Sequence, residues 1–187
     1  RSRGLGDVYK RQGYDRVVMN KEENKKPCVE VYTDGACSGN PGKGGYGAVL
    51  RYKTNNGEFV TKELSEGFEK TTNNRMEILG AVVALECLKK PCNVTLCSDS
   101  KYLIDALEKK WLDNWIAKGW KTASKKPVKN VDLWKRLIEA MKPHDIGLVW
   151  VKGHNGHEFN ERCDELAVSA YNSENLQVDS GFNSGDI

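Results

Sequence analysis

Six glycines crowd the interval from Gly35 to Gly47, directly between two segments of alternating apolar residues. The first, CVEVYTD, sets Val29, Val31 and Thr33 on one face; the second is YGAVLRYK. Alternation over such short lengths is a strand pattern, and glycine at this density permits a tight reversal with close backbone approach. The body of the chain is therefore expected to open with a hairpin. A turn at Asn55–Gly57 leads into EFVTKELSEGF, a third strand that completes a meander. TTNNRMEILGAVVALECLKK then predicts a helix, with Thr and Asn capping signals at its start and Pro91 beyond its end. NVTLCS reads as a short strand, SKYLIDALEKK as a helix, VDLWKRLIEAMK as an amphipathic helix, IGLVWVKG as a fifth strand and EFNERCDELAVSAY as a last helix. The order βββαβα…αβα predicts an α/β (α+β) fold, a mixed sheet with helices packed against it. No internal repeat is present.

The flanks carry no such pattern. Residues 1–25 lack periodicity and are expected to be an appended, disordered segment. Residues 172–187 are polar, hold no Lys or Arg, and are expected to form a loose tail. The body is then 26–171. No apolar run approaches the roughly 20 residues that span a bilayer. The opening RSRGLGDVYKRQ has charge without an apolar core, so it does not read as a signal peptide. A cytoplasmic address, no membrane association and a monomer are the expectations. Six scattered cysteines lack the dense spacing of a secreted disulfide scaffold. A zinc site from Cys92, Cys97, His154 and His157 is disfavoured, because Cys97 falls within a strand and the two pairs lie far apart in sequence.

The net charge of +3 conceals an asymmetry. Residues 1–26 hold eight of the 29 basic and four of the 26 acidic groups, which leaves 21 against 22 in the rest. Any nucleic-acid surface must therefore be local. Residues 109–129 contain seven lysines, one aspartate and the indoles Trp111, Trp115 and Trp120. A basic segment interleaved with aromatics suits a phosphate-backbone clamp. A solvated helix face with tryptophans turned inward is the alternative reading.

Four acids occupy positions that folding alone does not favour. Asp34 ends the first strand, opposite the Val29/Val31 face. Glu77 lies in line with Gly80, Ala81 and Ala84, small residues that mark a close approach to the sheet. Asp99 follows an apolar strand at its C-terminal end, where open α/β sheets place ligand sites. Asp164 shares a helix face with Ala167 and Val168. A carboxylate facing a core is costly unless neutralised. Each acid alone has an ordinary explanation, such as a helix cap for Asp99 or an ion pair with Arg162 for Asp164. A cluster of all four would suit Mg²⁺, a hard cation that prefers oxygen ligands. Spacing does not establish that they converge.

The segments YTDGACSGNPGKGGYGAVLRY, TTNNRMEI, CSDSKYL, GWKTASKKPVKNVDLW and WVKGHNGHEFNERCDELA together resemble bacterial type I ribonuclease H, in the family's order, across 26–171. The resemblance implies a ribonuclease H-like fold, a five-stranded mixed sheet whose second strand is antiparallel. It implies metal ligation and catalysis by Asp34, Glu77, Asp99 and Asp164, with two Mg²⁺ ions (Mn²⁺ a possible substitute). It assigns His154, in KGHNGH, to proton transfer or product release, a task that suits a loop histidine. It assigns hybrid contacts to Asn40, Thr72, Asn73 and Asn74, and a DNA-gripping handle to the segment holding Trp111, Trp115, Lys118, Trp120 and Lys121. The glycine-rich turn has no GxxxxGK[ST] and is not a P-loop; close approach to a minor groove, or simply a tight hairpin, explains its glycines. The implied activity is hydrolysis of the RNA strand of RNA–DNA hybrid duplexes, giving 5′-phosphate and 3′-hydroxyl ends. A catalytically silent hybrid-binding module and another nuclease of the superfamily are the alternatives. Three departures stand out. Ile116 and Ala117 replace lysines found in well-known bacterial members, Lys101 stands where glutamine is common, and one extra residue precedes Trp111. Hybrid binding is expected to be intact but weaker or more salt-sensitive.

Overall fold

The computed structural model describes residues 25–153 and 156–183. The meander forms as the alternation predicts: β1 (Cys28–Ser38), β2 (Gly42–Lys53) and β3 (Phe59–Thr71) pair antiparallel, with Val31 opposite Leu50 and Asp34 opposite Gly47. Helix α1 (Asn73–Glu86) follows, then β4 (Asn93–Ser98), α2 (Lys101–Glu108), α3 (Trp111–Ala117), α4 (Val131–Met141), β5 (Asp145–Trp150) and α5 (Glu158–Tyr171). β4 pairs parallel to β1, and β5 parallel to β4. The sheet order is β3-β2-β1-β4-β5, with β2 antiparallel to its neighbours. This is the mixed five-stranded sheet that the element order implied.

Period-two alternation divides β1 between two cores. Val29 and Val31 enter the larger one, beneath α1, α2 and α4, with Leu50, Met76, Ile78 and Leu96. Tyr32 faces the other way, into a smaller cluster with Val49, Cys97 and Cys163 beneath α5. On α4 the buried residues Leu133, Trp134, Leu137 and Met141 recur at helical spacing. Each such side chain contributes roughly 1.5–3 kcal/mol on burial, so α4 is held by its stripe rather than by local propensity.

Two elements depart from expectation. Helix α3, inside the basic segment, was not legible as a helix. It has seven residues, and Lys110 enters it in the left-handed region at φ 57°, which breaks any periodicity running on from α2. The C-terminal segment is not a loose tail over its described length. Gln177 accepts from the Glu69 amide at 2.9 Å and donates its own to Gly67 O at 2.8 Å, against edge strand β3. Asp179 is buried against Arg75. A polar composition gave no sign of this, because backbone pairing and one ion pair hold the segment instead of an apolar stripe. The appended segment, except for Lys25, lies outside the described residues. All six cysteines are free thiols.

Candidate active site

Asp34 does not end β1, which runs four residues further, to Ser38, but it lies just past the last residue paired with β4, and the next residue lets α1 come close. A Cβ at Gly35 would lie 2.6 Å from the Glu77 amide nitrogen and 2.9 Å from Met76 Cβ, so glycine is required there. One turn further on, Gly80 approaches Tyr46 Cβ and Thr33 Cβ to within 3.4 and 3.6 Å of where its own Cβ would be. The small-residue face read from the sequence is thus the face that meets the sheet, and it brings Glu77 beside Asp34. The Thr72 side chain caps α1, accepting from the Arg75 amide at 3.2 Å, and Asn40 Oδ1 accepts from the Asn73 amide at 3.1 Å.

Asp99 stands just past the end of β4. Asn160 Nδ2 donates to its Oδ2 at 3.5 Å, and the Trp150 indole donates to its backbone oxygen at 3.2 Å. Oxygens of Asp34, Glu77 and Asp99 lie within 4.8 Å of one another. Asp164, on α5, lines the same open cleft of about 510 Å³, as do Asn73, Asn74, Ser100 and Lys101. Three of the sequence-predicted acids therefore converge closely, and the fourth lines the same cleft. His154 lies outside the described residues.

The convergence is electrostatically unfavourable by itself. Burial, then the negative charges of Asp99 and Asp164, push the Asp34 carboxyl up to about 7. Burial, then Asp34 and Asp99, hold Glu77 well above the usual carboxylate range. Glu77 Oε2 is buried with no hydrogen-bond partner. An orphaned carboxylate oxygen inside a cluster of hard oxygen donors is the environment a divalent cation resolves. The residues fit such an ion.

A pH dependence follows. A carboxyl whose folded-state value is raised contributes stability that is complete below its unfolded value near 4 and is lost as pH rises through the folded value, about 7 for Asp34. The metal-free protein should therefore lose melting temperature between those limits. A divalent cation requires the ionised acids, so the rise in melting temperature on adding Mg²⁺ should be larger near pH 8 than near pH 5. Thermal melts with Mg²⁺ or chelator at both pH values check this, and a Mg²⁺ shift that is equal or larger at the lower pH contradicts it.

In the basic segment the tryptophans turn inward, as the alternative reading expected, and the lysines stay at the surface, where a clamp would need them. Trp111, Trp115 and Trp120 are half-buried against the core, with ring centroids of Trp111 and Trp115 6.1 Å apart and of Trp115 and buried Trp134 5.8 Å apart. The seven lysines, Lys118 and Lys121 among them, are exposed. The indoles thus found the handle, and the ammonium groups face solvent. Sequence reasoning did not single out Gly35 or Asn160. A glycine directly after an acid on a strand, and an asparagine four residues before Asp164 and so on its helix face, were the available signals.

The family profile described as RNase H matches residues 25–172. A protein named Ribonuclease H from Lachnoclostridium phytofermentans is 56% identical over 152 residues, spanning 81% of this chain and 96% of its own length. One of the same name from Salmonella arizonae is 57% identical over 154 residues, or 82% of this chain and 95% of its own length. Among solved structures, a type 1 RNase H with the type 2 active-site motif superposes with a TM-score of 0.74 at 31% identity, over 88% of this chain and 81% of that one. The fold, the element order and these likenesses agree: the chain belongs to the ribonuclease H family.

Proposed function

We propose that this protein is an endonuclease that hydrolyses the RNA strand of RNA–DNA hybrids. The observation that carries the reading is the meeting of Asp34, Glu77 and Asp99 within 4.8 Å, in a cleft that Asp164 also lines. Asp34, Glu77, Asp99 and Asp164 would hold two divalent cations, Mg²⁺ with Mn²⁺ as a possible substitute. Bound there, the cations supply an activated water and stabilise the leaving oxygen. The remaining work falls to the protein. Asn73 and Asn74 on the cleft wall, with Asn40 and Thr72 beside them, offer amide and hydroxyl groups to ribose 2′-hydroxyls and phosphates without reading bases. The exposed lysines of the handle, Lys118 and Lys121 included, draw the DNA strand. Attack by water forms a new P–O bond and breaks the P–O3′ bond, leaving a 5′-phosphate and a 3′-hydroxyl that takes up a proton. His154 is assigned to moving a proton or releasing product. We read the protein as a cytoplasmic monomer; among the described residues no helix is long and apolar enough to cross a membrane.

Labelled RNA–DNA hybrid, duplex RNA and duplex DNA, each incubated with the protein and Mg²⁺, test this. Cleavage confined to the RNA of the hybrid is expected. Hybrid bound but left intact would favour a silent binding module, and cutting of duplex DNA another nuclease of the superfamily.

The handle supports a graded prediction. Ile116 is 46% exposed and Ala117 is also exposed, so lysines fit at both places. Ile116→Lys with Ala117→Lys should tighten hybrid binding, and each added lysine that reaches a phosphate should steepen the fall of log K with log salt by about 0.9. The parent is salt-sensitive in the sense that its weaker complex is lost at lower salt, although its slope is shallower. Titrations over a salt series in chelator check both quantities, and unchanged affinity rejects the prediction.

A further inference from the structure

The chemistry described above leaves one buried charge cluster unused. Arg75 lies on the first turn of α1 at 1% exposure, between Asn74 and the turn that carries Glu77. Two carboxylates from distant parts of the chain hold its guanidinium. Nη1 and Nη2 donate to Asp132 at 2.9 and 2.7 Å, and Nε and Nη2 donate to Asp179 at 2.7 and 2.9 Å. Asp132 is on the first turn of α4, two residues past Asn130, where the handle rejoins the body. Asp179 also accepts from Thr71 Oγ1 at 2.7 Å. Thr71 ends β3 and Arg75 lies just inside α1, so a single carboxylate grips both sides of Thr72, Asn73 and Asn74. The segment that brings it is fixed by the backbone bonds of Gln177 to Gly67 and Glu69. It passes so close that a Cβ at Gly181 would lie 2.7 Å from Arg75 Nη2.

Two residues along a helix turn through about 200°, so Arg75 and Glu77 point to nearly opposite sides of α1. The cluster therefore holds α1 from the side away from Asp34, while the close packing of α1 against Gly35 keeps Glu77 in place without it. A buried ion pair contributes less net stability than an apolar replacement of the same volume often would, and its best-attested use is to specify one arrangement. We propose that Asp179 is a positioning residue for the hybrid. Through Arg75 and Asp132 it locks the β3–α1 junction to the foot of the handle, so that the duplex meets one rigid surface. This rests on the part of the proposed function by which the protein engages RNA–DNA hybrid. Without the Asp179 charge, Arg75 is still held by Asp132 on α4 but is no longer tied to the C-terminal segment. Asn73 and Asn74 then lose their fixed relation to the handle, whereas Asp34, Asp99 and Asp164 stand on other elements.

The test uses Asp179→Asn, which preserves shape, and Asp132→Asn, whose side chain is 47% exposed and so tolerates change. Binding of intact hybrid is measured in chelator, and KM and kcat with Mg²⁺, at temperatures where circular dichroism shows each variant folded. Both variants should raise Kd and KM by about tenfold, within the range for networks that couple separated sites, while kcat stays within about threefold of the parent. Ile146→Val, a core variant remote from the network, serves as a control for lost stability and should leave KM unchanged. Should Asp179→Asn fail to fold, Asp132→Asn decides. Kd and KM within twofold of the parent in the folded variants, or an equal rise in Ile146→Val, overturn the proposal. A parent that binds hybrid without cutting it removes the proposed activity but not this inference. A parent that cuts, with variants that bind as well as it does, removes only the inference.

Discussion

Asp34→Asn is expected to lose hybrid cleavage by roughly a thousandfold or more, which is about 4 kcal/mol of transition-state stabilisation. The same change should make the metal-free protein more stable. Asp34 is raised by burial and by the charges of Asp99 and Asp164, so above about pH 7 the parent holds an ionised group in a site that resists it. The amide removes that charge and keeps the shape, and its oxygen can still accept from the Gly35 amide, now 2.9 Å from Oδ1. A gain on the order of 1 kcal/mol should appear as a higher melting temperature in chelator near pH 8 and shrink toward pH 5, where the parent carboxyl is protonated. Single-turnover cleavage and melts with and without Mg²⁺ measure both. Opposite signs for activity and metal-free stability identify a cluster that exists for the cation. Activity and stability falling together would mean that Asp34 is a structural residue.

Arg75→Met has the largest expected effect on stability. Methionine fills much of the volume of the arginine stem, but it leaves two carboxylates without the cation they share. Removing one partner of a buried pair costs about 3–5 kcal/mol. Asp132 can turn to water, whereas Asp179 is nearly buried, with a side chain 8% exposed. The loss should also depend on pH, being greatest at neutral pH and smaller in acid, because against the effect of burial the Arg75 guanidinium holds the Asp132 carboxyl below its ordinary range, and protonating that group ends the pairing in the parent as well. For a protein of this length a loss near 4 kcal/mol lowers the melting temperature by roughly 10 °C. Calorimetry at two pH values checks the size and the trend. A fall below about 2 °C at neutral pH would show that the network adds nothing to stability.

Much of the fold was legible because its signals are local. Alternation in CVEVYTD and YGAVLRYK, the Thr72 cap and the Leu133–Leu137–Met141 stripe each act over a few residues, and each predicted its element. The site was legible one acid at a time and not as a cluster. Nothing in the neighbourhood of Glu77 states that its oxygen will lie within 4.8 Å of an oxygen of Asp99, because that distance depends on the parallel pairing of β1 with β4 and on the absence of a Cβ at Gly35. The C-terminal segment was misread for a related reason. Its attachment relies on a carboxylate that meets Arg75 across 104 residues of sequence, and on backbone pairing that any side chain permits. The handle was ambiguous since lysine and tryptophan alternate too irregularly to reveal which faces inward; the turns at Lys110 and Trp120, both at positive φ, disrupt the pattern.

The clamp around Arg75 also has a consequence for the order in which a growing chain can become competent. Ribosomes add residues from one end at about 5–20 per second. Strands β1 to β3 and helix α1 can therefore begin to pack long before Asp179 has been made. Until then the bond from Arg75 to Asp179 cannot form, and β3 keeps an open edge where Gln177 will pair. Closing the contact across 104 residues is among the slow, non-local steps of folding. The β3–α1 junction, proposed above as part of the hybrid surface, would then be among the last parts of the molecule to set, and a nascent chain could hold all four acids before that surface was complete.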